Sequence, residues 1–419
     1  MAAVDLSSSN TPSFQLLGIH CAEFLHIRTK MLSGANLASI PLKRSFKRPS
    51  QSCVSIRFSS SVYNARENVN QLLEVSDRSS YILAQYIPEP ARDAFLAIRA
   101  FNLEINKIND GGSNRQSTAS KASSQLSSTL GISTIDVKFK FWSDLLSKIF
   151  QDPYSETTIG EPIAILLREA LRNDLNLDIV YFHQFLQTRR HFLKTKTFQT
   201  AQDICSFGEG TYSQLNYLTQ GLLLSPSISP STISLLEYSP TLQSKVTDIA
   251  AHIGQATAIS SMILGVEYYS KSRNQVTLPV DLMTKYELSQ EDVFRITQGH
   301  SSSDSEDVRE KLKSVVYDTA IVANDHILTA RSKLGQVRDE IKEVVKENAS
   351  KNSKLREFSK KWKAGIPDVI FTPFLVSIPT SLYLEKLEKC DFDILNKKMQ
   401  QKEWKLAYRS YMGYHKRRI

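Results

Sequence analysis

From about residue 62 to its C-terminal end, the chain repeats its apolar residues at spacings of three and four and almost never alternates them singly. That period belongs to helices whose buried stripe faces a core, and it leaves no place for a sheet of any size. The spacing predicts helices over 62–75, 79–87, 91–109, 134–150, 160–173, 177–193, 203–223, 232–237, 241–270, 280–285, 289–297, 304–333, 335–348, 352–361, 368–372, 374–390 and 400–413. Pro153, Pro162, Pro226, Pro230, Pro240 and Pro279 fall between these segments or at their starts, where a missing N–H does no harm. With 41% hydrophobic side chains in 419 residues, an all-α chain can build one large helical unit. Residues 109–133 are nearly pure Gly, Ser, Thr, Asn and Gln. They are expected to interrupt this unit as an exposed loop without dividing it.

Charge is concentrated at the ends. Residues 1–60 carry seven Lys/Arg against Asp5 and Glu23, and residues 397–419 carry eight against Glu403. The body between them is slightly acidic. A nucleic-acid reader would hold its basic surface on the folded body, so no nucleic-acid partner is expected. The first sixty residues are Ser/Thr-rich and poor in acids, with IRFSSS near their end, the composition of a mitochondrial transit peptide. At the other end, Trp404, Tyr408, Tyr411 and Tyr414 recur at four, three and three, with Lys405 and Arg409 among them. On a helix they form one aromatic stripe edged with cations, suited to a membrane surface or to packing on the protein itself. The apolar stretch just before it is broken by Pro367, Pro373 and Pro379, which suits a buried or monotopic segment better than a simple span. No window holds eighteen uninterrupted apolar residues. The four cysteines, Cys21, Cys53, Cys205 and Cys390, lie too far apart for a Cys-rich zinc site, and no disulfide framework is expected.

Two segments carry polar groups on otherwise apolar helices. In ARDAFLAIRAFNLEINKIND, Arg99, Asn102, Asn106 and Asp110 recur at three, four and four beside a core face, which fits either a polar cavity wall or hydrogen bonding between helices. In the segment around HIGQATAISSMILGVEYYS, the residues His252, Gln255, Ile259, Met262, Val266 and Ser270 share a face. Tyr212 and Tyr217 are expected along the apolar pocket. Gly208 and Gly210 are expected to permit close packing, since no phosphate-binding Gly/Lys frame accompanies them. His252, His326, Asp318 and Asp325 read first as hydrogen-bonded or ion-paired groups, because no second His or Cys stands at metal spacing.

These strings, together with VTLPVDLM, ELSQEDVFR and VVYDTAIVANDHILTAR, resemble the squalene and phytoene synthase superfamily over about residues 62–390. The resemblance implies an isoprenoid (trans-prenyl diphosphate) synthase-like helical bundle around a central cavity. In active members two Asp-rich motifs face one another there and hold Mg²⁺ on a diphosphate. A hard dication needs several oxygen ligands, which two carboxylates four residues apart can supply. Here the first motif keeps Asp110 but has Asn106 and Lys107, and at the second the acidic positions fall on Val266 and Ser270, with Gly265 ahead of them. Glu267 is the nearby carboxylate, about 100° round the helix from Val266.

The same losses mark a mitochondrial branch of the superfamily that helps assemble respiratory complex I, and this chain resembles that branch more than it resembles the synthases. The resemblance then implies a pseudo-enzyme without metal or cofactor at the matrix face of the inner membrane. Its partners would be complex I subunits or assembly intermediates, the inner-membrane surface, and an isoprenoid or other lipid in the old cavity. Two alternatives stay open: an active head-to-head prenyl-diphosphate synthase, and a mitochondrial lipid-binding protein.

Overall fold

The computed structural model describes residues 53–108, 133–195, 197–299, 305–348 and 353–419, and among these no strand occurs. The first helices are α1 (Cys53–Ser76), α2 (Arg78–Leu83), α3 (Glu89–Asn106), α4 (Thr134–Gln151), α5 (Pro162–Arg172) and α6 (Ile179–Lys194). Next come α7 (Ala201–Gly208), a π-helical turn at Glu209–Ser213, α8 (Gln214–Leu223) and α9 (Pro230–Glu237). The long α10 (Pro240–Arg273) leads through α11 (Val280–Lys285) and α12 (Gln290–Gln298) to α13 (Ser305–Asn348). The chain closes with α14 (Ser353–Ser359), α15 (Asp368–Phe371), α16 (Ser377–Lys389) and α17 (Leu406–Lys416).

Local chemistry fixes most of the starts. Pro162, Pro230 and Pro240 open their helices at the first turn, where a missing N–H is harmless. Thr200 with Asp203 and Ser289 with Asp292 form capping boxes that satisfy exposed backbone donors reciprocally. Several boundaries depart from expectation, and the last helix runs over Leu406–Lys416 where 400–413 was expected. Helix α1 begins at Cys53, inside the stretch expected to be an unstructured leader. The break expected near Gly335 does not occur, and α13 runs through it. Leu334, Val337, Ile341 and Val344 continue the buried stripe there, and burying them outweighs the ~1 kcal/mol that a mid-helix glycine costs. The rest of the expected leader, residues 1–52, and residues 109–132 of the expected loop fall outside the described residues.

Helices α10 and α13 form the antiparallel spine. Lys245 pairs with Glu340 at 2.6 Å, Asp248 with Lys333 at 2.9 Å, and His252 meets His326 at 2.9 Å. As α10 advances, its partners on α13 retreat. Helix α10 is long and apolar enough to cross a membrane by length and composition, but 61% of its most apolar window is buried inside the protein. Its first half joins a core built with α1 to α6 and the segment from Ile366 to Leu382. Its second half joins another with α7, the start of α13 and Leu387. The Pro-broken stretch is thus a core segment, with Ile366, Ile370, Phe371, Phe374 and Leu375 all buried.

Candidate functional site

An open cavity of about 170 Å³ lies between α2, α3, the π turn, α10 and α16. Helix α3 turns Arg99, Asn102 and Asn106 toward it, beside the face on which Ile98, Phe101 and Ile105 are buried in the core. Arg99 Nε donates to Ser80 Oγ at 2.8 Å. Ser80 Oγ in turn donates to Asp77 Oδ2 at 2.6 Å, while Asp77 Oδ1 accepts from Ser79 Oγ at 2.6 Å and the Ser80 N–H at 3.1 Å. Asp77 is therefore spent on capping α2 and on this relay. Asn106 Nδ2 donates to Asn102 Oδ1 at 3.3 Å, and Asn106 Oδ1 is buried without a hydrogen-bonding partner, as is Ser260 Oγ across the cavity.

The π turn brings Tyr212 into the cavity, and insertions of this kind recur at functional sites because they re-aim one residue of a helix. Burial raises the Tyr212 phenol above its ordinary range, and its hydroxyl meets Ser261. The facing side of α10 presents Thr257, Ser260, Ser261, Leu264, Gly265 and Tyr268, while α16 and the turn before it add Val376, Pro379, Thr380 and Tyr383. Burial raises the Tyr383 phenol as well.

Among the described lining residues, Asp77 is the only carboxylate. The α10 face is made of hydroxyls, a leucine and a glycine, and no cluster of three metal-ligating side chains occurs among the described residues. Among the described residues, that donor set offers a magnesium ion one carboxylate, Asp77, which is already engaged, where such an ion needs several oxygen ligands. Asp110 lies outside the described residues.

The structure brings together only part of the set expected from the sequence. Arg99, Asn102, Asn106 and Tyr212 line the cavity. Val266 and Ser270 do not, since both are fully buried in the second core and the Ser270 hydroxyl has no partner. Ile259 and Met262 belong to that core too. The face of α10 that meets the cavity runs through 257, 260, 261, 264, 265 and 268, well round the helix from 259, 262 and 266. Of the positions that the resemblance assigned to the second motif, only Gly265 lines the cavity. Lys107 turns outward to an ion pair with Glu104 at 2.5 Å, and Glu267 pairs with Lys271 at 2.6 Å on the surface. The hydroxyl run TAISS, with Thr257, Ser260 and Ser261 at helical spacing, was the sequence signal for the true face.

His252, Gln255 and Tyr217 assemble a second polar cluster behind the cavity. Tyr217 Oη donates to Glu209 Oε1 at 2.6 Å and Gln255 Nε2 to Glu209 Oε2 at 3.1 Å. Burial first, and then the Glu209 carboxylate, pushes the Tyr217 phenol up. His252 Nδ1 and His326 Nδ1 lie 2.9 Å apart, and His326 Nε2 is 3.4 Å from Cys205 Sγ. One Nδ1 must carry a proton and the other a lone pair, so this contact cannot survive protonation of both rings. Burial pushes the Cys205 thiol up to about 11, which keeps it protonated and inert as a nucleophile. Asp318 is ion-paired with Lys285 at 2.7 Å, and Asp325 is exposed.

A pH dependence follows from the histidine pair. Burial, aided by Lys333 at His252 and by His252 at His326, lowers both pKa values below 6.5, while Asp248, Glu209 and Asp325 oppose the shift. The unfolded chain then binds more protons than the folded one, so stability falls as pH drops through 6.5 and below. Urea unfolding across that range should show His326→Gln losing less stability with acid than the wild type. Equal slopes would remove the pair from the acid response.

A model of the squalene/phytoene synthase family matches residues 73–404. The chain is 25% identical over 342 residues to "NADH dehydrogenase (ubiquinone) complex I, assembly factor 6" of Mus musculus, covering 82% of this chain and 79% of that one. The protein of the same name from Bos taurus is 26% identical over the same length and shares. The homolog in Dictyostelium discoideum is 24% identical over 348 residues, 82% of this chain and 76% of that one. Among solved structures, a dehydrosqualene synthase in complex with ligand superposes with a TM-score of 0.51 at 10% identity, over 86% of this chain and 96% of that one. At that identity the likeness shows the fold alone, and it is the isoprenoid synthase-like helical fold expected from the sequence. Since the family match spans most of the described helices, the chain belongs to the squalene/phytoene synthase family.

Proposed function

We propose that this protein is a non-catalytic assembly factor for respiratory complex I, acting in mitochondria at the matrix surface of the inner membrane. The observation that carries the proposal is the α10 face of the cavity, which presents hydroxyls and a glycine and no carboxylate, in a chain whose relatives are named as complex I assembly factors. With Asp77 the only carboxylate among the described lining residues, and that one engaged with Ser79 and Ser80, a prenyl diphosphate in this cavity would be poorly neutralised and its ionisation weakly supported. Arg99 is the single cation among the described lining residues, and the partnerless Asn106 Oδ1 and Ser260 Oγ offer polar contacts to a small amphiphile. This supports a retained binding role for the cavity, with an isoprenoid or other lipid as its occupant. The protein's partners are then complex I subunits or their intermediates.

Native-gel separation of mitochondrial complexes from a deletion strain, stained for NADH activity, tests the assembly role. The expected result is loss of the mature complex I band with a stalled subassembly, restored by the wild-type gene. An unchanged band overturns the proposal. Purified protein incubated with farnesyl diphosphate and Mg²⁺ is expected to release no pyrophosphate above the protein-free control; turnover that depends on Mg²⁺ would return the chain to the synthases.

A further inference from the structure

The C-terminal segment divides its side chains sharply. On its inner side, Leu406, Ser410, Gly413 and Arg417 are buried. Arg417 ion-pairs with Asp368 and lies over the rings of Phe371 and Tyr414 at 5.0 and 4.6 Å. Tyr414 Oη donates to Asp368 at 2.6 Å and its ring packs on Tyr86 at 4.9 Å. Arg338 donates to the Arg417 carbonyl at 3.0 Å, and Arg331 to the Ile419 carbonyl at 2.7 Å. The chain turns back at Arg417, whose φ is +51°, and a Cβ on Gly413 would come within 2.7 Å of the Arg418 carbonyl oxygen. Glycine there lets the last residues close against the helix. Tyr414 and Arg417 are thus clasps to the core, and Arg409 is held by Glu385 at 2.5 Å. None of the three is free to meet a membrane, although Tyr414 and Arg409 belong to the stripe expected to do so.

The outer side keeps what the inner side does not use. Trp404, Tyr408 and Tyr411 are 70%, 62% and 54% exposed, at spacings of four and three, on one face of α17 and the residue pair before it. Lys398, Lys402, Lys416 and Arg418 are exposed around them, and Lys405 Nζ lies 5.7 Å from the Trp404 ring centre. Glu403 is the one acid in residues 397–419, and its carboxylate accepts the Lys405 N–H at 3.0 Å. A soluble surface gains nothing from three large aromatics held in water on one helical face, whereas Trp and Tyr are the residues that settle at the headgroup level of a bilayer. The surrounding charge is almost all positive and complements anionic headgroups.

We infer that Trp404, Tyr408 and Tyr411 dock the protein on an anionic lipid surface, with the surrounding lysines and Arg418 against the headgroups and the clasp of Tyr414 and Arg417 transmitting that attachment to the core. The docked segment also borders the cavity. A narrow apolar crevice is lined on one side by Met399, Glu403 and Leu406 and on the other by Leu264, Pro379 and Tyr383, the last three being cavity walls as well. This inference rests on the peripheral-membrane part of the proposed function and is independent of the assembly role, so vesicle binding and native-gel assembly can fail separately.

Co-sedimentation of the purified full chain with phosphatidylcholine vesicles, with and without phosphatidylglycerol, tests it. The wild type is expected to pellet with the anionic vesicles and to be released as salt is raised. The triple variant Trp404→Ser/Tyr408→Ser/Tyr411→Ser should lose binding on the order of tenfold or more. Because all three side chains are exposed, its melting temperature should match the wild type. Lys398→Gln and Lys402→Gln should each weaken anionic binding by about fivefold. Tryptophan emission should shift to the blue on adding anionic vesicles to the wild type, and not in Trp404→Ser. A wild type that stays in the supernatant overturns the inference and leaves the stripe to a protein partner. Equal binding to phosphatidylcholine alone, or by the folded triple variant, overturns it too.

Discussion

Gly254→Val is expected to destabilise the protein by at least ~3 kcal/mol, because the place its side chain would occupy already holds backbone. A Cβ on Gly254 would lie 2.5 Å from the Ser213 nitrogen and 2.7 Å from its Cα, and one on Gly208 would lie 2.9 Å from the Gln255 Cα. The α7–α8 helix and α10 therefore cross at backbone contact. Side chains that reach across to α10 carbonyls lock the crossing: Ser213 Oγ to Ala251, Asn216 Nδ2 to Ala250 and Gln220 Nε2 to Val246, at 3.1, 3.0 and 3.0 Å. A flexible side chain could move aside, but a helix backbone cannot without breaking these bonds. The π turn lies at this crossing, so Tyr212 should leave the cavity as stability falls. Urea unfolding should show a lower midpoint with an unchanged slope. Gly335→Ala is the contrast, since a Cβ there meets nothing within 4 Å in mid-helix, and the change should stabilise by roughly 0.5–1 kcal/mol. A Gly254→Val protein as stable as wild type would mean that the helices do not approach this closely.

Phe101→Ala is expected to cost about 3–5 kcal/mol. Phe101 is fully buried, and its ring is edge-on to Trp142 and Phe182, each at 5.3 Å, and tilted against Phe185 at 5.5 Å. One side chain thus joins α3, α4 and α6, and removing it leaves a void that three rigid rings cannot collapse into. Phe101→Leu should cost less, because it keeps much of the volume. The effect reaches the cavity, since α3 carries Phe101 on one face and Arg99 and Asn102 on another. Chemical denaturation with a parallel near-ultraviolet spectrum checks both points: the midpoint should fall and the aromatic signal should weaken. A loss below ~1 kcal/mol would show that this cluster does not organise the first core.

Much of this was legible in the residues. Periodicity located the helices, prolines and capping residues marked many of their starts, and the glycines before Tyr212 announced a close crossing. Arg99, Asn102 and Asn106 showed as a polar row because they recur at helical spacing beside the core face of α3, where a polar row must meet a cavity, another helix or water. Helix α10 gave no such contrast. It is packed against one core for its first half, another for its second, and α13 along much of its length. A helix packed against two cores and a long partner carries apolar residues on several sides, so apolar periodicity alone does not mark the cavity side, and the hydroxyls Thr257, Ser260 and Ser261 were the signal left to read. Val266 and Ser270 were placed at the site by the resemblance, whereas Gly265 and Tyr268 are the neighbouring residues that line it.

The tail shows the same division. Its stripe of aromatics was visible in the spacing, but spacing alone gave Tyr414 the same standing as Tyr408. Only the position of Asp368 and Tyr86, forty-six and more than three hundred residues away in the chain, turns Tyr414 inward and leaves Trp404, Tyr408 and Tyr411 outside. The sequence by itself determined the helical class, the family and the polar row on α3, because these depend on local spacing and on residue type. The tertiary structure decided which face of α10 meets the cavity, that the histidines meet each other, and which aromatics of the tail remain free. Each of those depends on how distant helices are rotated against one another, and that rotation is set by the packing of whole cores and not by any one segment.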